Sequence, residues 1–264
     1  MDEYLERPQA RIAYSSTAPD AERTLVVAHS LATSRRWEDE AGVFDWSPVA
    51  EAGERLVRID SRGHGDSSGG VTDEQYRWPS LADDLLAVAG AVSPTAPVDA
   101  LGESTGCGVL VHAALAAPDR FRRLVLVIPP TMGEAREEQA ELYRAAAELI
   151  DLRGPEAWQR LVTAATPPEI LQQGGWTRPS WIPIRDELVP SVLRGAAGST
   201  FPDDDALRSI RQPTLIVTWG TDPSHPVSSA EHLAALLPSA VLEVASTPDE
   251  VRGWGRRVAD FLQA

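Results

Sequence analysis

Val98-Asp99-Ala100-Leu101-Gly102-Glu103-Ser104-Thr105-Gly106-Cys107-Gly108-Val109 is the stretch on which the reading of this 264-residue chain turns. Its wording predicts a strand over Val98–Gly102, a sharp turn at Ser104 and a helix over Thr105–Ala117. A serine on such a turn has room only for small neighbours, which Gly102 and Gly106 provide. The turn sets the Ser104 hydroxyl at the C-terminal edge of a sheet. It sets the Thr105 N–H at a helix N-terminus, facing any developing oxyanion. A bare Gly-x-Ser-x-Gly also arises by chance, so the flanking sequence decides what it means.

Outward from this turn, short β-rich runs alternate with helical stretches, the pattern of an α/β fold with a mostly parallel sheet covered on both faces. Further strands are expected at Ala10–Ser15, Thr24–His29, Arg55–Asp60, Arg123–Ile128, Thr214–Trp219 and Val241–Ala245. Runs such as Leu124-Val125-Leu126-Val127-Ile128 suit strands buried on both faces. Helices fit Ser80–Val92, Ser228–Leu237 and Pro248–Gln263, the last opening on Pro248 with Asp249 and Glu250 behind it. The alternation stops between about 129 and 212. There Gly133–Leu152 reads as a helix, followed by shorter helical pieces and a Trp/Pro-rich loop at Gly174–Pro183. The division expected is a core over 1–130 and 213–264 with a helical cap over 131–212.

Three segments flank the serine turn in the expected sheet. His29-Ser30-Leu31-Ala32-Thr33-Ser34 follows one strand, Asp60-Ser61-Arg62-Gly63-His64-Gly65-Asp66-Ser67 another, and Gly220-Thr221-Asp222-Pro223-Ser224-His225-Pro226 a third. Together with Gly102–Gly106 they resemble the α/β-hydrolase fold family over nearly all of the chain outside the cap. The resemblance implies a helical cap inserted after the sixth strand. It makes His29–Ser34 the oxyanion loop, closest in wording to enol-lactonase-like members, with the Leu31 N–H as second oxyanion donor beside Thr105. It makes Asp222 the carboxylate of a Ser-His-Asp triad whose nucleophile is Ser104.

One part of the family pattern is missing. Members run from the last strand through a Gly-x-Gly-His loop into the final helix, whereas here Leu242-Glu243-Val244-Ala245 passes through Ser246-Thr247 straight into Pro248. No histidine lies beyond His232. His29 and His64 fall where the family keeps structural histidines, His112 sits two turns into the helix after Ser104, and His232 lies in the helix after the acid loop. His225, on the acid loop beside Asp222, is the one candidate for a displaced base, although His-Pro is common family wording there. The expectation is therefore that the triad histidine is absent and that Ser104 is not activated, which disfavours ester hydrolysis.

The expected function is then a non-hydrolytic isomerase: an oxyanion hole at Leu31 and Thr105 holding an enolate, with a substrate carboxylate as base. The chain is similar in this respect to the atypical α/β-hydrolase-fold proteins of actinobacterial peptide natural-product pathways, the bottromycin peptide epimerase among them. That resemblance implies epimerisation of an aspartyl residue in a modified, thiazole-bearing peptide. Two alternatives stand beside it: a serine esterase or lactonase with a displaced base, and a ligand-binding protein without chemistry. Trp176 and Trp181 of the cap loop, and Trp219 before the acid loop, either pack or line the pocket of such a ligand.

Composition narrows the remaining classes. The net charge is −15, and all 24 basic residues are Arg. An acidic chain repels nucleic acid; its charge serves solubility and is compatible with a cationic small-molecule or peptide substrate. Without lysine there is no Schiff-base chemistry on this chain, and no cofactor is expected. Cys107 is the single cysteine, so neither a disulfide framework nor a cysteine-based metal site is expected. The acidic N-terminus lacks the features of a signal peptide and no run reaches the roughly 20 apolar residues of a membrane span, so a cytoplasmic protein is expected.

Overall fold

The computed structural model describes residues 2–264. Eight strands form one sheet: β1 (Asp2–Arg7), β2 (Ala10–Ser16), β3 (Thr24–Ala28), β4 (Arg55–Ile59), β5 (Val98–Glu103), β6 (Phe121–Val127), β7 (Thr214–Trp219) and β8 (Ala240–Ala245). Their spatial order is β1-β2-β4-β3-β5-β6-β7-β8. The first two join the sheet antiparallel, and β4 through β8 pair parallel. From β3 the chain steps outward to β4 and then returns across β3 to β5. The loops after β3 and β5 therefore diverge, and a crevice opens between the C-terminal ends of those two strands. The His29–Ser34 segment and the serine turn leave the sheet there.

The central strands show why the sheet is buried on both sides. Val26 and Ala28 of β3 and Leu124 and Leu126 of β6 enter one core, while Leu25, Val27, Val125 and Val127 enter the other. With side chains alternating across a strand, a continuous apolar run supplies both faces. Helices α1 (Arg35–Ala41) and α2 (Ser47–Glu51) follow β3, α3 (Trp78–Val92) follows β4, and α4 (Thr105–Ala116) follows β5. The first core packs α3 and α4 on the sheet; the second packs α2 and the C-terminal helix there.

Between β6 and β7 lie α5 (Gly133–Arg153), α6 (Pro155–Ala164), α7 (Glu169–Gln173), α8 (Val189–Ala197) and α9 (Asp204–Arg208). Their own apolar cluster, with Ala147, Ile150, Leu188, Val192 and Leu193, closes onto Tyr76 and onto Leu31 and Ala32 after β3. After β7 come α10 (Val227–Leu236), α11 (Pro248–Arg252) and α12 (Trp254–Gln263).

Four elements depart from the sequence expectation. Strand β1 was not foreseen, because Asp2–Arg7 is an edge strand exposed along most of its length and shows no apolar face. The short helices α1 and α2 were likewise unforeseen, having too few residues for a helical period to register. The expected helix Pro248–Gln263 breaks at Gly253, between α11, which opens on a Thr247/Glu250 capping box, and α12. Among the described residues no helix is long and apolar enough to cross a membrane.

Candidate active site

The serine turn is built by exclusion. Ser104 has φ 49° and ψ −111°, a conformation that costs an L-residue energy and persists only where its surroundings enforce it. A Cβ on Gly102 would stand 2.2 Å from the carbonyl oxygen of Gly106, and one on Gly106 2.2 Å from that of Ala28. Both obstacles are backbone in strand β3 or helix α4, so neither position accepts a side chain. The Cys107 N–H closes the turn on the Ser104 carbonyl at 2.8 Å. Cys107 itself is fully buried and donates to the Gly102 carbonyl. Burial pushes its thiol well above the ordinary value, which leaves it an inert small hydrophobe.

At the mouth of the crevice Ser104 Oγ lies 2.7 Å from His225 Nε2, and His225 Nδ1 lies 2.7 Å from Asp222 Oδ2. A carboxylate can only accept, so Nδ1 carries the imidazole proton and Nε2 is left to accept from the serine hydroxyl. The triad is complete. This corrects the expectation of a missing histidine: the base has moved from the loop after β8 to the acid loop after β7, three residues from its own carboxylate.

The acid loop is shaped for this. Ser224 N–H donates to Asp222 Oδ1 at 3.0 Å and His225 N–H to the Asp222 carbonyl at 3.1 Å, folding Asp222–His225 into a tight turn. Pro223 and Pro226 restrict the backbone on either side of Ser224-His225. Burial alone would raise the Asp222 carboxyl. The hydrogen bond and charge of His225, with donors from Trp219 and Ser224, outweigh it and hold the group below the usual carboxylate range.

The other histidines are occupied. His29 Nε2 accepts the Ser61 N–H at 2.8 Å while Nδ1 lies 2.7 Å from the Ser30 carbonyl. His64 Nε2 accepts the Ala32 N–H at 3.4 Å while Nδ1 lies 2.9 Å from the Arg62 carbonyl. In both rings the proton sits on Nδ1, and both rings tie the oxyanion loop to the Asp60–Ser67 turn. Burial and the nearby His29 push His64 down to about 3, so it stays neutral. His112 contacts the Thr200 carbonyl and His232 the Asp204 carboxylate. Within the turn, burial alone would raise the Asp60 carboxyl; Arg35, His29 and the Asp66 N–H more than reverse this and hold it low.

Leu31 and Thr105 line one small cavity with His64, Tyr76, Val109 and Val192. The Leu31 N–H makes no hydrogen bond among the described residues, and the Thr105 N–H is the first of α4, where no intrahelical acceptor exists. Two residues with free backbone donors, one of them next to Ser104 in the chain, thus line the same cavity. The cavity measures about 10 Å³, room for roughly one water.

Of the three tryptophans, two lie away from Ser104 and one touches Asp222. Trp181 Nε1 donates to Glu40 at 2.9 Å, its carbonyl accepts from Trp37 Nε1 at 3.1 Å, and the Arg36 guanidinium stands over its ring. Trp176 carries the Arg252 guanidinium 4.8 Å above its ring. These contacts fasten the 174–183 loop to α1 on one side and α11 on the other. Trp219 is buried beneath the acid loop and donates to Asp222 Oδ2 at 3.1 Å. None of the three lines the cavity at Leu31 and Thr105.

Glu103, immediately before the nucleophile, is a feature that sequence reading passed over. It is fully buried; Oε1 accepts from Trp46 Nε1 at 2.8 Å, and Oε2 has no hydrogen-bond partner. Burial, and then the Glu38 carboxylate against it, raise its carboxyl well above the ordinary value. A carboxyl raised in the fold favours the native state at low pH and loses that advantage as pH climbs from the ordinary carboxylate range. Glu103→Gln keeps an acceptor for Trp46 and the side-chain shape without titrating. Its melting temperature should exceed that of the wild type by a few degrees at pH 8 and converge with it near pH 4, as read by calorimetry across pH.

Comparison with known proteins agrees with this geometry. A family model described as alpha/beta hydrolase fold matches residues 23–249. The chain is 26% identical over 260 residues to a putative carbamate hydrolase, RutD, of Rhizobium rhizogenes, covering 93% of this chain and 94% of the relative. It is 26% identical over 218 residues to a protein of the same name from Caulobacter, with 78% of each covered. In structure it is similar to the enol-lactonase of Burkholderia xenovorans, at TM-score 0.77 and 18% identity over 99% of this chain and 100% of the other. It is similar also to a thermophilic esterase of Thermogutta terrifontis, at TM-score 0.73 and 19% identity over 100% and 98%. The expectation of a peptide epimerase is overturned on two counts. It rested on a histidine that is in fact supplied by His225, and the related sequences carry hydrolase names. By its fold, its serine turn and the span of the family match, the chain belongs to the alpha/beta hydrolase fold family.

Proposed function

We propose that this protein is a serine hydrolase that cleaves a small ester, lactone or carbamate through an acyl-enzyme on Ser104. The observation that carries the reading is the unbroken hydrogen-bond chain from Ser104 through His225 to Asp222. In this reading Ser104 Oγ attacks the carbonyl carbon while its proton passes to His225 Nε2, and Asp222 stabilises the imidazolium that forms. The Leu31 and Thr105 N–H groups receive the oxyanion. Collapse breaks the bond to the leaving group, which takes the proton from Nε2. Water then attacks the acyl carbon, passes a proton back through His225, and frees the acid and Ser104. The names of the Rhizobium and Caulobacter relatives add carbamates to the substrates to be tried.

The test is a fluorophosphonate probe, which phosphonylates an activated serine with loss of fluoride. Stoichiometric labelling of the wild type, absent in Ser104→Ala, supports the reading; a folded wild type that takes no label overturns it.

A further inference from the structure

The acid loop has an unusual neighbour. Trp219, the last residue of β7, lies with its ring almost parallel to that of Trp254 (centroids 5.5 Å apart, 11° between planes) and to that of Phe44 (5.8 Å, 18°). Phe44 stacks in turn on Trp46 at 5.7 Å. The rings lie in the core beneath the sheet edge that carries the triad, and each end of the stack holds a carboxylate. Trp46 Nε1 donates to Glu103, beside the nucleophile, and Trp219 Nε1 donates to Asp222, the triad acid.

The atom that Trp219 holds is informative. Asp222 Oδ2 accepts both the Trp219 indole N–H at 3.1 Å and the His225 ring nitrogen at 2.7 Å, while Oδ1 accepts only the Ser224 N–H. A carboxylate three residues from its histidine is carried by the same short turn as the base, so the turn cannot serve as an independent frame for either. An orienting contact has to come from outside the loop. Trp219 provides it from a strand end, with 2% of its surface exposed and its plane clamped by two aromatic rings. A donor on a rigid plane fixes the carboxylate's torsion, and through Oδ2 it fixes the direction in which His225 Nε2 points at Ser104.

We infer that Trp219 is a positioning residue of the catalytic triad, whose indole N–H orients Asp222 toward His225 in place of a base held on its own separate loop. The inference rests on the serine-hydrolase reading and adds to it a group that touches neither substrate nor reacting atoms. Trp219→Phe keeps a stacking ring and removes the donor. A genetically encoded benzothienylalanine at 219 keeps the whole bicyclic shape and removes only the N–H. Trp254→Phe thins the stack and leaves the Trp219–Asp222 bond in place.

With p-nitrophenyl acetate, both replacements at 219 should lower kcat by about 10- to 100-fold, the worth of a hydrogen bond to a charged group, and leave KM within about twofold. The downfield proton resonance of the His225–Asp222 bond should shift or broaden in both. Trp254→Phe should lower the melting temperature while kcat stays within about twofold. If the benzothienylalanine protein turns over at the wild-type rate, or if kcat falls equally in Trp254→Phe, the stack serves stability alone and the inference is overturned. Failure of the underlying reading is separable, because the fluorophosphonate would then leave the wild type itself unlabelled.

Discussion

His225→Ala should turn over p-nitrophenyl acetate about 10⁶-fold more slowly than the wild type, the scale of loss when a serine protease is deprived of its triad histidine. The reason lies in the alternatives open to Ser104. Its hydroxyl has one nitrogen within reach, His225 Nε2 at 2.7 Å. His29 and His64 already accept backbone N–H groups through Nε2, and burial holds His64 neutral, so neither is free to take a serine proton. His112 and His232 bond to the Thr200 carbonyl and the Asp204 carboxylate, away from the serine. The fold should survive, since the His225 side chain is anchored only by Ser104 and Asp222. Fluorophosphonate labelling should slow in step with turnover. His232→Ala, on the exposed face of α10, is the matched control and should leave both unchanged. Near-wild-type turnover in His225→Ala would mean that the observed triad is not the catalytic one.

That prediction also marks where the sequence stopped being legible. The serine turn, the oxyanion loop, the Asp60–Ser67 turn and the acid loop could be read because each is enforced locally. Gly106 lies against the Ala28 carbonyl, Gly65 against the Asp60 carboxylate, and no other residue fits. Such constraints leave fixed letters at fixed spacing. The position of a base is a different kind of fact. His225 and Ser104 are 121 residues apart, and their meeting depends on how far one loop leans over the sheet edge. The missing Gly-x-Gly-His loop was visible, but its absence says only where the base is not. A usable signal did exist in Thr221-Asp222-Pro223-Ser224-His225-Pro226: two prolines stiffen a turn that carries both an acid and a base. The tryptophans were ambiguous for a related reason. Packing and pocket-lining call for the same residue type, and only the partners separate them, Glu40 and Arg36 for Trp181, Arg252 for Trp176, and Asp222 for Trp219. The buried pair Glu103–Glu38 left no pattern at all, since one partner is a variable letter of the serine motif and the other lies in a short helix.

Asp222→Asn should cost about 10⁴-fold in kcat, although it changes one atom and no volume. The amide can sit in two ways, and each fails. With its NH₂ at the Oδ2 position it points a donor at the Trp219 indole N–H and at His225 Nδ1, which drives the imidazole proton to Nε2 and leaves nothing to accept from Ser104. With its NH₂ at the Oδ1 position it meets the Ser224 N–H, and the turn that presents His225 loses its closing bond. In the second arrangement the tautomer survives, but the negative charge that stabilises the imidazolium does not. The neutral amide cannot be imitated by lowering the pH either. His225, Trp219 and Ser224 hold Asp222 below the usual carboxylate range, so it stays ionised well into acid and any loss of activity there belongs to other groups. A double-mutant cycle gives the decisive reading. Because Asp222 acts only through His225, Asp222→Asn/His225→Ala should be no slower than His225→Ala alone, the two losses overlapping almost completely. Additive losses would mean that the carboxylate reaches the reaction by a route that does not pass through the histidine.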